Sequence, residues 1–255
     1  MNILITGATG AVGFDLLKLL SENNKIYAFY RSRSKKIKKI KSINWIKINS
    51  LNNYVLPKKL NIECIIHCAV DQKYLELNKK RYFNSNVKMI QNLINIFKNL
   101  KEKRIFINFS SIEVYGNIKK KTLKENYKPL NQNTYGQMKY KCEKILEKSN
   151  INYVNLRLPG ILCKFSNETK HRPWINNISH KFLNNEDIQI YNPMAKFNNL
   201  IDTSELSKII LKIIKLKIDI KDNFNIGSSE PISLMKTIDF IKKITKSKSF
   251  ILKKK

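Results

Sequence analysis

Seven residues near the N-terminus constrain this chain more than any others: Gly7-Ala8-Thr9-Gly10-Ala11-Val12-Gly13. They follow Asn2-Ile3-Leu4-Ile5-Thr6, an apolar run that reads as a buried strand. They precede Phe14-Asp15-Leu16-Leu17-Lys18-Leu19-Leu20, whose apolar residues recur at helical spacing. Strand, glycine turn and helix in that order make an anion site, because a helix N-terminus presents unpaired N–H groups and a partial positive charge. Gly7 and Gly10 are expected to let the backbone turn tightly and approach a pyrophosphate, and Gly13 to let the helix pack on the sheet. Three of the seven glycines of the chain fall in this window. The spacing alone is a weak signal; the strand before it and the helix after it favour a phosphate-binding loop over a plain turn.

A second strand, Lys25–Tyr30, ends on Arg31-Ser32-Arg33. In a dinucleotide fold this strand ends beside the adenosine ribose, where an acid accepts from the hydroxyls and an arginine pairs with a 2′-phosphate. Arg31 and Arg33, with no acid beside them, point to NADP, with NAD as the alternative. Further strands are expected at Ile43–Ile48 (followed by Asn49-Ser50-Leu51), Ile62–Ala69 and Arg104–Phe109, and an amphipathic helix from Asn84 to Leu100. Strands alternating with helices imply an α/β fold with a doubly wound parallel sheet. Later helices, Thr203–Lys217 and Ile232–Ile244, read as packing elements, and Lys253–Lys255 as a solvated tail. The organisation expected is a dinucleotide-binding domain over 1–160, to which 199–222 returns, and a small C-terminal substrate lobe mainly over 161–255.

Polar residues follow the strand at 104–109: Ser110-Ser111-Ile112-Glu113-Val114-Tyr115-Gly116. Thr134-Tyr135-Gly136-Gln137-Met138-Lys139 then opens a helix. Tyr135 and Lys139, four apart, share a helix face. An ammonium beside a phenol favours its ionised form, which suits it to exchange protons near neutral pH. Ser111 is placed to hold a substrate oxygen at that phenol. Taken with the glycine loop, these segments resemble the extended short-chain dehydrogenase/reductase family, in its NAD-dependent epimerase/dehydratase branch acting on nucleotide sugars. His67-Cys68-Ala69, Asn86-Val87, Leu156-Arg157-Leu158-Pro159-Gly160, Asn199–Leu206 and Asn225-Ile226-Gly227 extend the resemblance over nearly the whole chain.

The resemblance implies a Rossmann-type sheet, with Tyr135 as general acid/base, Lys139 on the nicotinamide ribose, and Ser111 on the reacting oxygen. It implies cofactor contacts at Gly7, Gly10, Ala11, Val12, Gly13, Ser50, Leu51, Cys68, Ala69, Asn86 and Pro159, besides Tyr135, Lys139, Arg31 and Arg33. Ser111, Glu113 and Arg172 are the expected substrate contacts; no metal is expected. Arg172, in His171-Arg172-Pro173-Trp174, suits a diphosphate, and Trp174 suits a base or the core of the lobe. Three departures narrow the activity. Ser50 stands where the family often has an Asp on adenine. Ile112 stands where 4,6-dehydratases carry an acid beside the following Glu, and an isoleucine donates no proton. Asp202 replaces a histidine of the second lobe. The reading is an NADPH-dependent keto-sugar reductase, with an NAD-dependent nucleotide-sugar 4-epimerase as the alternative. A non-catalytic NAD(P)-binding regulator or assembly factor is a remoter one, since neither needs a proton relay.

The formal charge of +30 could announce a nucleic-acid or anionic-membrane partner. Only six of the 49 basic residues are arginine, however, and the lysines are spread among abundant Asn and Ile, as in a coding bias. No specific nucleic acid or membrane partner is therefore expected. Cys64, Cys68, Cys142 and Cys163 match no zinc spacing and read as buried free thiols of a reducing compartment. With no basic leader and no apolar run long enough to span a bilayer, a cytoplasmic chain is expected. A homodimer through the helices at 84 and 135 is compatible with the resemblance.

Overall fold

The computed structural model describes residues 1–31, 40, 42–50, 52–57, 60–73, 75–117, 120, 122–165, 174–216 and 219–254. The chain opens with β1 (Asn2–Thr6), α1 (Ala11–Leu20), β2 (Lys25–Tyr30), β3 (Asn44–Lys47) and β4 (Cys64–His67). Next come α2 (Lys79–Lys98), β5 (Ile105–Ser111), a 3-10 turn (Ile112–Tyr115), α3 (Thr134–Glu147), β6 (Tyr153–Leu158) and β7 (Gly160–Leu162). The remainder is α4 (Trp174–Leu183), β8 (Ile188–Tyr191), β9 (Lys196–Phe197), β10 (Leu200–Asp202), α5 (Thr203–Lys215), β11 (Lys221–Asn225), β12 (Ile232–Ser233), α6 (Leu234–Thr245) and β13 (Ile251–Lys254).

Seven strands form one sheet in the order β3-β2-β1-β4-β5-β6-β11, and every neighbouring pair is parallel. This is the doubly wound order, in which strand succession reverses between β1 and β4 and leaves a crevice at their carboxyl ends. Alternation explains the two layers. Ile3 and Ile5 face α1 and α5, meeting Leu16, Leu17, Leu206 and Ile210; Leu4 faces the opposite layer of α2 and α3, meeting Ile90, Leu93 and Met138. A third, smaller core of Phe182, Ile188, Ile190, Ile238 and Ile241 lies among α4, α6, β8 and β13.

Some expected boundaries move. The helix expected from Asn84 begins at Lys79, because the Asn78 side chain accepts from the Arg81 N–H and caps it. Ile232 and Ser233 pair with β9, and the Ser233 hydroxyl then caps α6. Lys253 and Lys254 are not a free tail: their backbone pairs in parallel with Ile190 and Tyr191 of β8. Lys217 and Lys255 lie outside the described residues. No helix among the described residues is long and apolar enough to cross a membrane.

Candidate active site

A cavity of about 730 Å³ opens at the reversal of strand order. Gly7 follows β1 with φ +69°, a conformation that favours glycine, and a Cβ there would lie 2.7 Å from the Ala69 backbone nitrogen beyond β4. Gly13 packs on the Gly7 carbonyl just beyond β1: its missing Cβ is what lets the first turn of α1 lie close over the loop. Gly10 caps α1 without a side chain, and Gly7, Gly10, Ala11, Val12 and Gly13 all line the cavity. The close fit of backbone to backbone leaves helix N–H groups, the positive end of the α1 dipole, at the cavity wall. These residues fit a pyrophosphate.

On the β2–β3 side the wall is formed by Tyr30, Arg31, Ile48, Ser50 and Asn52. Ser50 is in the wall, with its hydroxyl accepting from the Asn52 N–H at 3.1 Å. Arg31 is exposed at the rim. Arg33 and Leu51 lie outside the described residues.

On the other side stand Cys68, Ala69, Tyr135 and Pro159. Ser111, the last residue of β5, accepts from the Glu113 N–H at 3.2 Å and so caps the 3-10 turn. The chain before α3 zips onto that turn: Leu130 N–H donates to the Tyr115 carbonyl at 2.9 Å, and the Gln132 amide to that of Val114. Asn133 caps α3 by accepting from Gly136 N–H at 2.7 Å, and donates to the Glu113 carboxylate at 2.8 Å. Gly136 matters here: a Cβ would collide with the Glu113 carbonyl. Its absence brings the first turn of α3, and Tyr135 with it, against the turn that Ser111 begins. One helical turn on, Lys139 is buried; its Nζ lies 5.8 Å from the Tyr135 ring centroid and donates to the Phe109 carbonyl at 2.6 Å.

Several expected contacts are indirect. The Asn86 amide is spent within the protein: it accepts from Asp71 N–H (2.9 Å) and donates to the carbonyls of Asp71 (3.1 Å) and Tyr82 (2.9 Å). Asn86 therefore holds the loop whose Asp71 and Gln72 line the cavity, and does not itself line it. Glu113 is exposed and engaged with Asn133, off the cavity wall. Cys64 and Cys142 are buried, but Cys68 and Cys163 are half-buried and line the cavity. Burial pushes the Cys68 thiol pKa up despite the nearby Lys139 ammonium. Asp202 caps α5, accepting from Ser204 (2.7 Å) and Glu205 N–H (3.1 Å). Trp174 packs edge-on against Phe197 at 5.2 Å, inside the second half of the chain. His171 and Arg172 lie outside the described residues. Among the described residues no cluster of His, Cys, Asp and Glu suited to a metal is present.

Asp15, unremarked in the sequence, is fully buried on α1. Its Oδ2 accepts from Thr203 Oγ1 (2.8 Å) and from the N–H groups of Lys164 (2.5 Å) and Phe165 (3.1 Å). It ties α1 to α5 and to the segment carrying Cys163. Only its place inside an otherwise apolar helix face could have flagged it.

A family model described as NAD dependent epimerase/dehydratase family matches residues 3–227. An uncharacterized protein of Methanocaldococcus jannaschii is 25% identical over 97% of this chain and 82% of its own length. Among solved structures, a UDP-N-acetylglucosamine 4-epimerase from Methanobrevibacter ruminantium in complex with UDP-N-acetylmuramic acid superposes with TM-score 0.80 at 20% identity, covering 99% of this chain and 84% of that one. A UDP-glucuronic acid 4-epimerase from Bacillus cereus in complex with NAD gives TM-score 0.77 at 20% identity, covering 99% and 86%.

Proposed function

This chain belongs to the NAD dependent epimerase/dehydratase family, and on that premise we propose that it moves a hydride between a nicotinamide dinucleotide and a ring carbon of a nucleotide-activated sugar. The observation that carries the reading is Tyr135 on the wall of the glycine-loop cavity, on the same face of α3 as the buried Lys139 and docked on the turn begun by Ser111. The dinucleotide supplies or accepts the hydride. Tyr135 gives a proton to the substrate oxygen, or takes one, as carbonyl and alcohol interconvert. Lys139 holds the nicotinamide ribose and keeps positive charge beside the phenol. Ser111 donates to the reacting oxygen and fixes its distance from Tyr135. Gly7 to Gly13 bind the pyrophosphate, and residues mainly within 161–255 form the substrate lobe, with Arg172 toward the diphosphate.

The finer reading is an NADPH-dependent keto-sugar reductase in the cytoplasm. Supporting it are Arg31 at the cavity rim, the lack of an acid at the end of β2, and Ile112 in the place of a dehydratase acid. A second reading, a 4-epimerase that retains NAD, is favoured by the structural neighbours, one of which carries NAD. Denaturing the purified protein and identifying any released dinucleotide by mass spectrometry separates the two. An empty site that then binds NADPH at least tenfold more tightly than NADH supports the reductase; stoichiometric NAD sinks it in favour of the epimerase. For either enzyme, Tyr135→Phe is expected to lower turnover by about 10²- to 10⁴-fold while dinucleotide binding persists. Unchanged function in that variant would assign the chain to a non-catalytic regulator.

A further inference from the structure

One stripe of α3 carries more than Tyr135, which lines the cavity, and the buried Lys139 behind it. Tyr135, Lys139 and Glu143 are spaced four apart, on one face. Glu143 is fully buried, and so, nearly, is its partner Arg157 on β6. Arg157 Nε donates to Glu143 Oε1 at 3.1 Å and Nη2 to Oε2 at 2.8 Å, a two-pronged pair that fixes orientation as well as distance. The pair reaches the chain on both sides of Ser111. Before it, Ser110 Oγ donates to Glu143 Oε1 at 2.5 Å. After it, Arg157 Nη1 donates to the Tyr115 hydroxyl at 2.7 Å, and that hydroxyl donates to Asn225 Oδ1 on β11 at 2.6 Å. Strand register explains the meeting, since Ser110 and Asn225 both flank Arg157 in the sheet.

We propose that Glu143 and Arg157 are positioning residues for the Ser111–Tyr135–Lys139 site. Sliding or rotating α3 over the sheet would move Tyr135 and Lys139 relative to Ser111, and this buried pair opposes both motions. A packed apolar pair would hold the layers together without specifying where α3 sits along them. The inference rests on the proposed dinucleotide chemistry and concerns its nicotinamide end alone, since the glycine loop lies on β1 and α1.

The test compares two ligands. The reduced coenzyme that the wild-type protein prefers, NADH or NADPH, is titrated against the same molecule without its nicotinamide riboside, ADP or 2′-phospho-ADP. Glu143→Gln is expected to weaken the coenzyme at least tenfold while leaving the truncated ligand within twofold. Tyr115→Phe, which strips two hydrogen bonds but leaves the Arg157–Glu143 ion pair in place, is expected to do the same to a smaller degree and guards against a Glu143→Gln protein that fails to fold. Arg157→Lys is expected to restore part of the loss relative to Arg157→Met. A lowered melting temperature with both affinities unchanged, or both weakened alike, would make the pair merely structural and overturn the proposal. Wild-type protein that binds neither ligand overturns the dinucleotide reading itself.

Discussion

At the scale of single residues, the site is made by what neighbours do to ordinary side chains. His67 ends β4 opposite Thr6 in register, and its Nδ1 lies 2.7 Å from the Thr6 hydroxyl. Burial first, and the Lys139 ammonium second, hold its pKa down to about 3, so the folded protein keeps it neutral. Unfolded chain binds a proton there below about pH 6.5, and folded chain does not until about pH 3. The stability His67 contributes is therefore fully present above pH 6.5 and is lost on acidification between 6.5 and 3, at up to about 1.4 kcal/mol per pH unit. Urea denaturation at pH 7.5, 5.5 and 4.5 is expected to show a steeper decline for the wild type than for His67→Asn. Parallel slopes would refute the assignment. A neutral imidazole bound to a threonine also marks His67 as a structural residue beside the site rather than a proton carrier.

At the scale of elements, catalytic geometry depends on how closely α3 approaches the turn after β5. Gly136→Ala puts a methyl group into the Glu113 carbonyl, with no flexible side chain to yield. The expected cost is about 1–3 kcal/mol, a drop of several degrees in melting temperature. Turnover per folded molecule is expected to fall further than stability, because the strain is relieved by moving Tyr135. Normal turnover in a folded Gly136→Ala protein would separate the docking of α3 from catalysis. Sequence shows this helix, the glycine loop and the alternation of strands and helices, because each depends on residues close along the chain. It does not show what register assembles. Asn108 donates to Asn155 at 2.7 Å and Asn155 to Asn223 at 2.8 Å, a polar rung across β5, β6 and β11, and the Ser110–Arg157–Asn225 rung follows two residues on. Asn108 falls in a stretch expected as a strand, but nothing close along the chain says which of these residues stand opposite one another in the sheet. Asp15 was equally hidden, since its partners lie some 149 to 188 positions away. β13 was hidden because lysines, typical of solvated tails, occupy a strand whose backbone rather than side chains is paired.

At the scale of the whole molecule, the charge asks to be explained by physics before it is assigned to a partner. Acidic residues number 19 against 49 lysines and arginines. Even if every acid paired with its own base, thirty positive charges would remain, as the net charge states. Observed pairs such as Lys208–Glu205 and Arg104–Glu63 are partly exposed and contribute little each. The surplus therefore acts mainly as self-repulsion, which opposes the compact state and is long-ranged at low ionic strength. The faces of α2 and α3 show the same effect locally: Lys80, Arg81, Lys88, Lys98 and Lys141 are exposed on them, and neither helix carries an exposed large apolar side chain among the described residues. A dimer through that face would set like charges opposite one another. The melting temperature is thus expected to rise by several degrees as sodium chloride goes from about 20 to about 300 mM, with the Debye length falling from roughly 20 Å to below 8 Å. Sedimentation equilibrium at the lower salt is expected to give a monomer. A melting temperature that falls with salt, or a dimer at low salt, would mean that the surplus charge is arranged to meet acid across an interface. Nucleic-acid binding that survives physiological salt and weakens steeply above it would give the charge a partner instead.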